Sequence, residues 1–413
     1  MLATAGHEEW RVQARDFSRD GVLSPELLVT LLLFMVGDGN RRGYGMLLEQ
    51  FWDQCRANGV ALPTQDPVSG AALCQARSKI SVDLLRHVLQ SSAMRFADSF
   101  DDLWRWKGRR AFAIDGSYFH LNRAHDVDRY FGRPQRAHHA QATVSSLVNV
   151  SSGLPVDVVV GPYEASERVM LFEHLDLLEE GDIVILDRGY PCHEIIRELV
   201  RRGIDFLVRV PSSHSFRATN VFKHSSLDDA PVQIQPAQPP GSEQVTLELR
   251  ALRLRDLEGQ ESIYLTSLPA ERYSRTDLAD LYRLRWEAEE FFRQTKSDYF
   301  GQSQYRARSA HGIKQEILAQ AIYLVIARFL IAMASRQCDV EYRELSIKNT
   351  VLALAEYLAR LCLQARPDAR KSMPPLLRRI ARKRTKRRPG RIYPRRSFKP
   401  SPRWNSRGRR AGG

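Results

Sequence analysis

The spacing of apolar residues changes at Arg110, and that change restricts the chain to a helical region followed by a mixed α/β region. Before it, Leu23, Leu27, Leu28, Leu31, Leu32 and Met35 recur at intervals that place them on one helix face. Leu84, Leu85, Val88, Leu89 and Met94 do so again behind Ser81, a side chain suited to capping. A polar, turn-rich loop over 57–70 separates the two, and residues 70–81 read as a short helix whose Arg77 and Lys79 suit an anionic surface. After Arg110 the apolar runs are short and bounded by turn residues: 111–115, 140–150, 154–160, 182–187 and 205–210 read as strands. Ser151-Ser152-Gly153 is a hairpin turn, and helices are expected over 168–178 and over 192–202, the latter ending at Gly203. The order β-β-β-α-β-α-β joins an antiparallel meander to parallel crossovers in one sheet.

Residues 211–270 interrupt this pattern. Pro231, Pro236, Pro239, Pro240 and Gly241 precede two alternating runs, 245–255 and 262–267, which predict a β-rich insertion. Helices resume at Thr276 and continue to about Leu363. The chain shows no internal repeat, P-loop or dinucleotide fingerprint. Its 413 residues suit two or three domains, and 43% apolar with 27% charged residues is ordinary for a folded protein.

The net charge of +14 is unevenly distributed. Residues 366–413 hold 19 Lys and Arg against one acid, Asp368, whereas residues 1–365 hold 43 against 47 Asp and Glu. Seven prolines and few large apolar residues beyond Ile380 predict a tail that stays disordered until a polyanion organises it. The two most apolar stretches are 27–36, too short for a membrane span, and 317–334, which contains Gln320 and Arg328. No membrane partner is expected. Five dispersed cysteines without a CxxC pair, and an N-terminus unlike a secretion signal, point to a reducing cytoplasm. His120, His125, His138 and His139 fall on a polar loop without a companion ligand set, and Glu164 and Glu167 are read as starting and capping the next helix.

Asp115 and Asp187 close two strands that this order makes neighbours, so two carboxylates can meet at one sheet edge. On the helix from Thr276, Tyr282, Arg285, Glu289 and Lys296 are spaced three, four and seven apart, within roughly a 60° arc at ~100° per residue. Leu281, Leu284, Ala288, Phe291 and Phe292 form the adjoining apolar arc that would dock the helix. Three carboxylates with nearby cations suit metal-assisted phosphoryl transfer. Oxygen-only ligands favour Mg2+ or Mn2+, and Arg and Lys grip phosphates.

The run Tyr282-Arg-Leu-Arg285-Trp286-Glu-Ala-Glu289-Glu-Phe-Phe-Arg-Gln-Thr-Lys296 resembles the Tyr-x2-Arg-x3-Glu-x6-Lys signature of the DDE transposases of bacterial insertion sequences, family four. Ile114-Asp115-Gly116-Ser117 resembles that family's first-Asp motif and Leu186-Asp187-Arg188-Gly189-Tyr190 its second, within a resemblance spanning roughly residues 20–365. It implies an α/β fold with an RNase H-like mixed-sheet catalytic core, a β-rich insertion, a helical N-terminal domain and a basic disordered tail. The expected divisions are a DNA-binding domain over 1–108, core segments over 109–210 and 271–365, the insertion over 211–270 and the tail over 366–413. Asp115, Asp187 and Glu289 would bind two Mg2+ or Mn2+ ions, while Tyr282, Arg285, Trp286 and Lys296 would contact DNA. No tryptophan lies between Trp106 and Trp286, so the family's second, insertion-borne tryptophan is not evident. The implied activity is binding of terminal inverted repeats, hydrolysis at the ends and transfer of 3′-hydroxyls to target DNA. The implied partners are double-stranded DNA and a second copy of the chain, acting in the cytoplasm at the nucleoid.

Overall fold

Ser24 accepts a hydrogen bond from the Leu27 amide and Pro25 follows it, so the first helix starts where a side-chain cap and a proline coincide. The computed structural model describes residues 11–385 apart from 14–15, 18–20, 39–42, 136, 212–215, 237–244, 256–259, 297–299, 301–304 and 365. Among the described residues the first five helices are α1 (Pro25–Gly37), α2 (Tyr44–Ala57), α3 (Gly70–Arg77), α4 (Val82–Ser99), which Ser81 caps as its position predicts, and the single turn α5 (Asp101–Trp104).

The alternating region follows as β1 (Arg105–Trp106), β2 (Arg109–His120), α6 (His125–Phe131), β3 (Gln141–Asn149), β4 (Leu154–Pro162), α7 (Glu167–Leu175), β5 (Ile183–Leu186), α8 (His193–Arg201) and β6 (Asp205–Arg209). Strands β2, β3 and β4 are antiparallel neighbours, whereas β5 runs parallel to both β2 and β6. The meander and crossovers therefore share one sheet, as the strand order requires. Gly203, just past α8, has φ +65°, a left-handed conformation that glycine adopts without a Cβ clash.

The insertion is not a separate layer. After α9 (Arg217–Lys223), three strands, β7 (Asp229–Ile234), β8 (Leu247–Arg255) and β9 (Glu261–Thr266), extend the same sheet. Its path is β4-β3-β2-β5-β6-β9-β8-β7, with β1 on β2. Strand β7 is unexpected because it contains Pro231, but it pairs only with β8 and so forms the sheet edge, where a missing amide is tolerated.

The remaining helices are α10 (Arg275–Arg283), α11 (Trp286–Thr295), α12 (Ala310–Cys338), α13 (Ile347–Leu363) and α14 (Arg366–Ala381). The single helix expected from Thr276 is thus two. The amides of Leu284, Arg285, Glu287 and Ala288 each bond the carbonyl three residues back, a tightened turn that re-aims the second segment. Helix α12 is long and apolar enough to cross a membrane, yet most of it is buried, against α1, α4, α13 and α14.

Two expectations change here. Residues 366–385 are not a disordered tail: Leu376, Leu377 and Ile380 are buried, and α14 packs on α12 and α13. Residues 386–413 lie outside the described residues. Arg77, expected on an anionic surface, is only 4% exposed. It donates to Glu316 at 3.0 Å, to Gln315 at 3.1 Å and to the Gly312 carbonyl at 3.0 Å, tying α3 to α12. A buried guanidinium with three acceptors satisfied is a structural tie, leaving Lys79 as the exposed cation of that segment.

Candidate active site

The parallel pairing of β2 with β5 ends at Ile114 opposite Leu186, so the next residues along, Asp115 and Asp187, leave the pair at one level. Contrary to expectation, Asp115 does not terminate its strand; β2 continues to His120 because β3 goes on pairing with it, Asp115 lying opposite Ser146. The Gly116 amide donates to Asp115 Oδ1 at 2.9 Å and the Arg188 amide to Asp187 Oδ1 at 2.6 Å, which fixes both carboxylates to their own backbone.

Helix α11 supplies the third acid. Arg285, 6% exposed, directs Nη1 to Asp115 Oδ2 at 3.2 Å and Nη2 to Glu289 Oε1 at 2.5 Å. Among the described residues no three acidic, histidine or cysteine side chains close on one point as a ready-made ion cage; Arg285 lies between Asp115 and Glu289 and bridges them. Burial pushes the Asp115 carboxyl up to about 6, opposed by Arg285 and the Gly116 amide. Burial alone would lower the Arg285 pKa, but Tyr282, Glu289 and Asp115 outweigh it and hold the guanidinium charged.

Lys296 follows α11 and reaches the same strand, Nζ donating to Ser117 Oγ at 2.6 Å above the Phe119 ring at 4.7 Å. Burial draws its pKa down to about 8, opposed by Asp115. Tyr282 packs edge-on against Tyr264, ring centroids 4.6 Å apart, with Arg285 over its face at 5.6 Å. The Tyr282 hydroxyl and Arg285 Nε are buried without a hydrogen-bond partner among the described residues. Each is a polar group whose desolvation a water or an incoming ligand would compensate.

A cleft of about 400 Å³ opens beside Asp187 and Glu289. Half-exposed Trp286 lines it, and Leu254 and Tyr264 bring the inserted strands in as the facing wall. All seven side chains expected at the site therefore converge on one region. Arg188 and Arg209, which also line the cleft, and Ser117 were not singled out from sequence. Arg188 directly follows Asp187 and was legible in principle; Arg209 and Ser117 become visible only once strand facing is known. Glu167 begins α7 as expected, but Ser166 occupies the cap, and the Glu167 side chain turns toward Gly116 and Tyr190. His120 pairs with Gln141 at 3.3 Å.

The mixed sheet thus brings Asp115 and Asp187, at and just past the ends of a parallel strand pairing, to one level, with Glu289 of α11 and clustered cations beside them. The transposase DDE domain family matches residues 106–326, more than half of the chain, and the protein belongs to that family. The match runs from β1 into α12 and contains all seven candidate site residues. "Putative transposase InsZ" of Escherichia coli strain K12 is 25% identical over 142 residues, 32% of this chain and 46% of that protein, so the chain spans less than half the length of this curated relative. A solved piggyBac transposase synaptic complex with hairpin DNA shares 9% identity, covering 88% of this chain and 79% of that one at a TM-score of 0.42, a likeness too loose to bear on mechanism.

Proposed function

We propose that the protein is a DNA transposase of an insertion sequence, in the subgroup marked by the Tyr-Arg-Glu-Lys signature. In this reading it binds terminal inverted repeats, cleaves the ends by metal-dependent hydrolysis and joins the freed 3′-hydroxyls to target DNA. One observation carries it: Asp115 and Asp187 leave a parallel strand pair at the same level while Arg285 brings Glu289 to Asp115. The strand order β4-β3-β2-β5-β6, a meander followed by two parallel strands, supports an RNase H-like reading of the core.

The donor set fits a pair of hard divalent cations. Asp115, Asp187 and Glu289 offer only carboxylate oxygen, and Asp115 is buried deeply enough that its charge needs a cation. Mg2+ or Mn2+ bound there would activate the attacking oxygen and neutralise charge on the leaving one. The chain's own side chains supply the grip. Arg285 and Lys296 are placed to hold phosphates flanking the scissile bond, Tyr282 to donate its unpartnered hydroxyl to a phosphate oxygen, and Trp286 to pack against the end DNA. Joining two ends calls for two copies of the chain on DNA, and a cytoplasmic, nucleoid-bound location follows from that substrate.

The test uses end DNA containing the inverted repeats. Replacing Asp115, Asp187 or Glu289 by Ala should abolish cleavage and leave end binding nearly intact, because ion ligands are not the main DNA contacts. Mg2+ or Mn2+ should support cutting, and Ca2+ binding alone. Cleavage surviving in Asp187→Ala would remove this mechanism.

A further inference from the structure

Asp115 and Ser117 face α11, but Gly116 between them faces α7, and there a fourth carboxylate comes close. A Cβ placed on Gly116 would lie 2.6 Å from Glu167 Oε2, so the Glu167 carboxyl occupies the space a side chain at 116 would need. The Tyr190 hydroxyl donates to Glu167 Oε2 at 3.4 Å, and Tyr190 is only 2% exposed. The next residue on α7, Arg168, donates Nε to the Gly189 carbonyl at 2.8 Å. The Tyr190 amide in turn bonds the Asp187 carbonyl at 3.1 Å, closing a turn over Asp187-Arg188-Gly189-Tyr190. The first turn of α7 therefore grips the Asp187 turn at two points, one through a side chain and one through backbone.

Among the described residues no Lys, Arg or His forms an ion pair with Glu167, although burial and the nearby Asp187 both disfavour its charge. The first turn of α7 favours an acid at this end of the helix, and the Tyr190 contact and the space left by Gly116 account for where its carboxyl points. We propose that Glu167 is a positioning residue of the catalytic centre, acting through Tyr190 and the turn it closes to fix where Asp187 presents its carboxylate. Gly116 is then glycine to admit the Glu167 carboxyl. The inference rests on the reading of Asp187 as a metal ligand.

The experiment measures Mn2+ binding to the full chain by the loss of free-ion signal in electron paramagnetic resonance, together with the Mn2+ dependence of end cleavage. Glu167→Ala and Tyr190→Phe should each weaken Mn2+ binding by about 10- to 100-fold, the range for residues that orient metal ligands, with Tm and end binding unchanged. Glu167→Gln, which keeps an acceptor for the Tyr190 hydroxyl, should restore most of the affinity. Gly116→Ala should match Glu167→Ala, and the double variant should be no worse than either single one, because both act on the same contact. Wild-type Mn2+ affinity in both Glu167→Ala and Tyr190→Phe would overturn the proposal. So would equal damage from Glu167→Gln and Glu167→Ala, or a Gly116→Ala effect that persists undiminished without Glu167. Asp187→Ala in parallel separates the two levels: if it cleaves normally the reading of the centre fails, and if it is inactive while the Glu167 variants are normal only the positioning role fails.

Discussion

Arg285 donates to Asp115 at 3.2 Å although 170 residues of chain separate them, so the guanidinium joins the first strand of the site to the helix that carries Glu289. Arg285→Ala should lower end cleavage by at least about 100-fold, as loss of a preorganised charge contact does. Arg285→Lys should not restore it, because one ammonium cannot span both carboxylates as the planar fork does. Glu290, one residue from Glu289 but paired outward with Arg293, is the control, and Glu290→Ala should stay near wild type. Equal, small effects at positions 285 and 290 would assign the stripe to solvated surface.

Lys296 predicts a pH limit on DNA grip. Burial places its pKa near 8, so the ammonium is mostly charged below about pH 8 and mostly neutral above it. End-DNA affinity measured at constant salt should therefore fall as pH rises through about 8. Lys296→Arg, charged throughout, should flatten that fall. An identical profile in both proteins would mean that Lys296 does not contact phosphate.

A different acid governs stability. Asp157 is fully buried and accepts from Arg86 at 2.8 and 2.7 Å, from Gln90 at 2.9 Å and from His174 at 2.8 Å, binding α4, β4 and α7 together. Despite burial, which raises it, hydrogen bonds from Arg86 and His174 hold its pKa far below the usual carboxylate range. Its stabilisation is thus full above the unfolded value of ~3.9 and is lost as pH falls toward the folded one. Asp157→Asn should cost roughly 3–5 kcal/mol at neutral pH and lose much of the acid dependence of Tm below about pH 4. Calorimetry across that range checks both.

The basic C-terminal region should divide at residue 385. Deleting 386–413 removes eleven Lys and Arg and no acid. It should leave Tm unchanged and flatten the dependence of log affinity on log salt, each lost phosphate contact removing a slope of about 0.9. Unrelated DNA should be weakened more than end DNA. Deleting 366–413 also uncovers the surface that Leu376, Leu377 and Ile380 bury, each worth roughly 1.5–3 kcal/mol, and should lower Tm sharply. An unchanged salt slope on the shorter deletion would reduce that segment to a solubilising appendage.

Sequence periodicity was enough to place β3, β4, β5 and β6, because each alternates or is uniformly apolar between turn residues. The site was legible for a different reason: acids at strand level and cations at helical spacing leave a pattern along the chain itself. What escaped depends on neighbours distant in sequence. Composition made Arg366 onward look unable to fold, but three apolar residues at helical spacing suffice when α12 and α13 provide a surface to cover. Arg77 looked like a surface cation because Glu316, its partner, lies 239 residues away. Nothing local announces the tightened turn at Leu284, which appears only as a shift of hydrogen bonds from four residues back to three.

The burial of α12 sets an order of assembly. Its partners α1 and α4 are made first; α4 can pack early on β4, but the long helix that covers both begins only at Ala310. During synthesis the faces that α12 covers must wait through more than two hundred further residues, the long-range closure that slows folding and invites aggregation. A product truncated between Glu289 and Ala310 would hold Asp115, Asp187 and Glu289 but lack the long helix against which α1 and α4 pack.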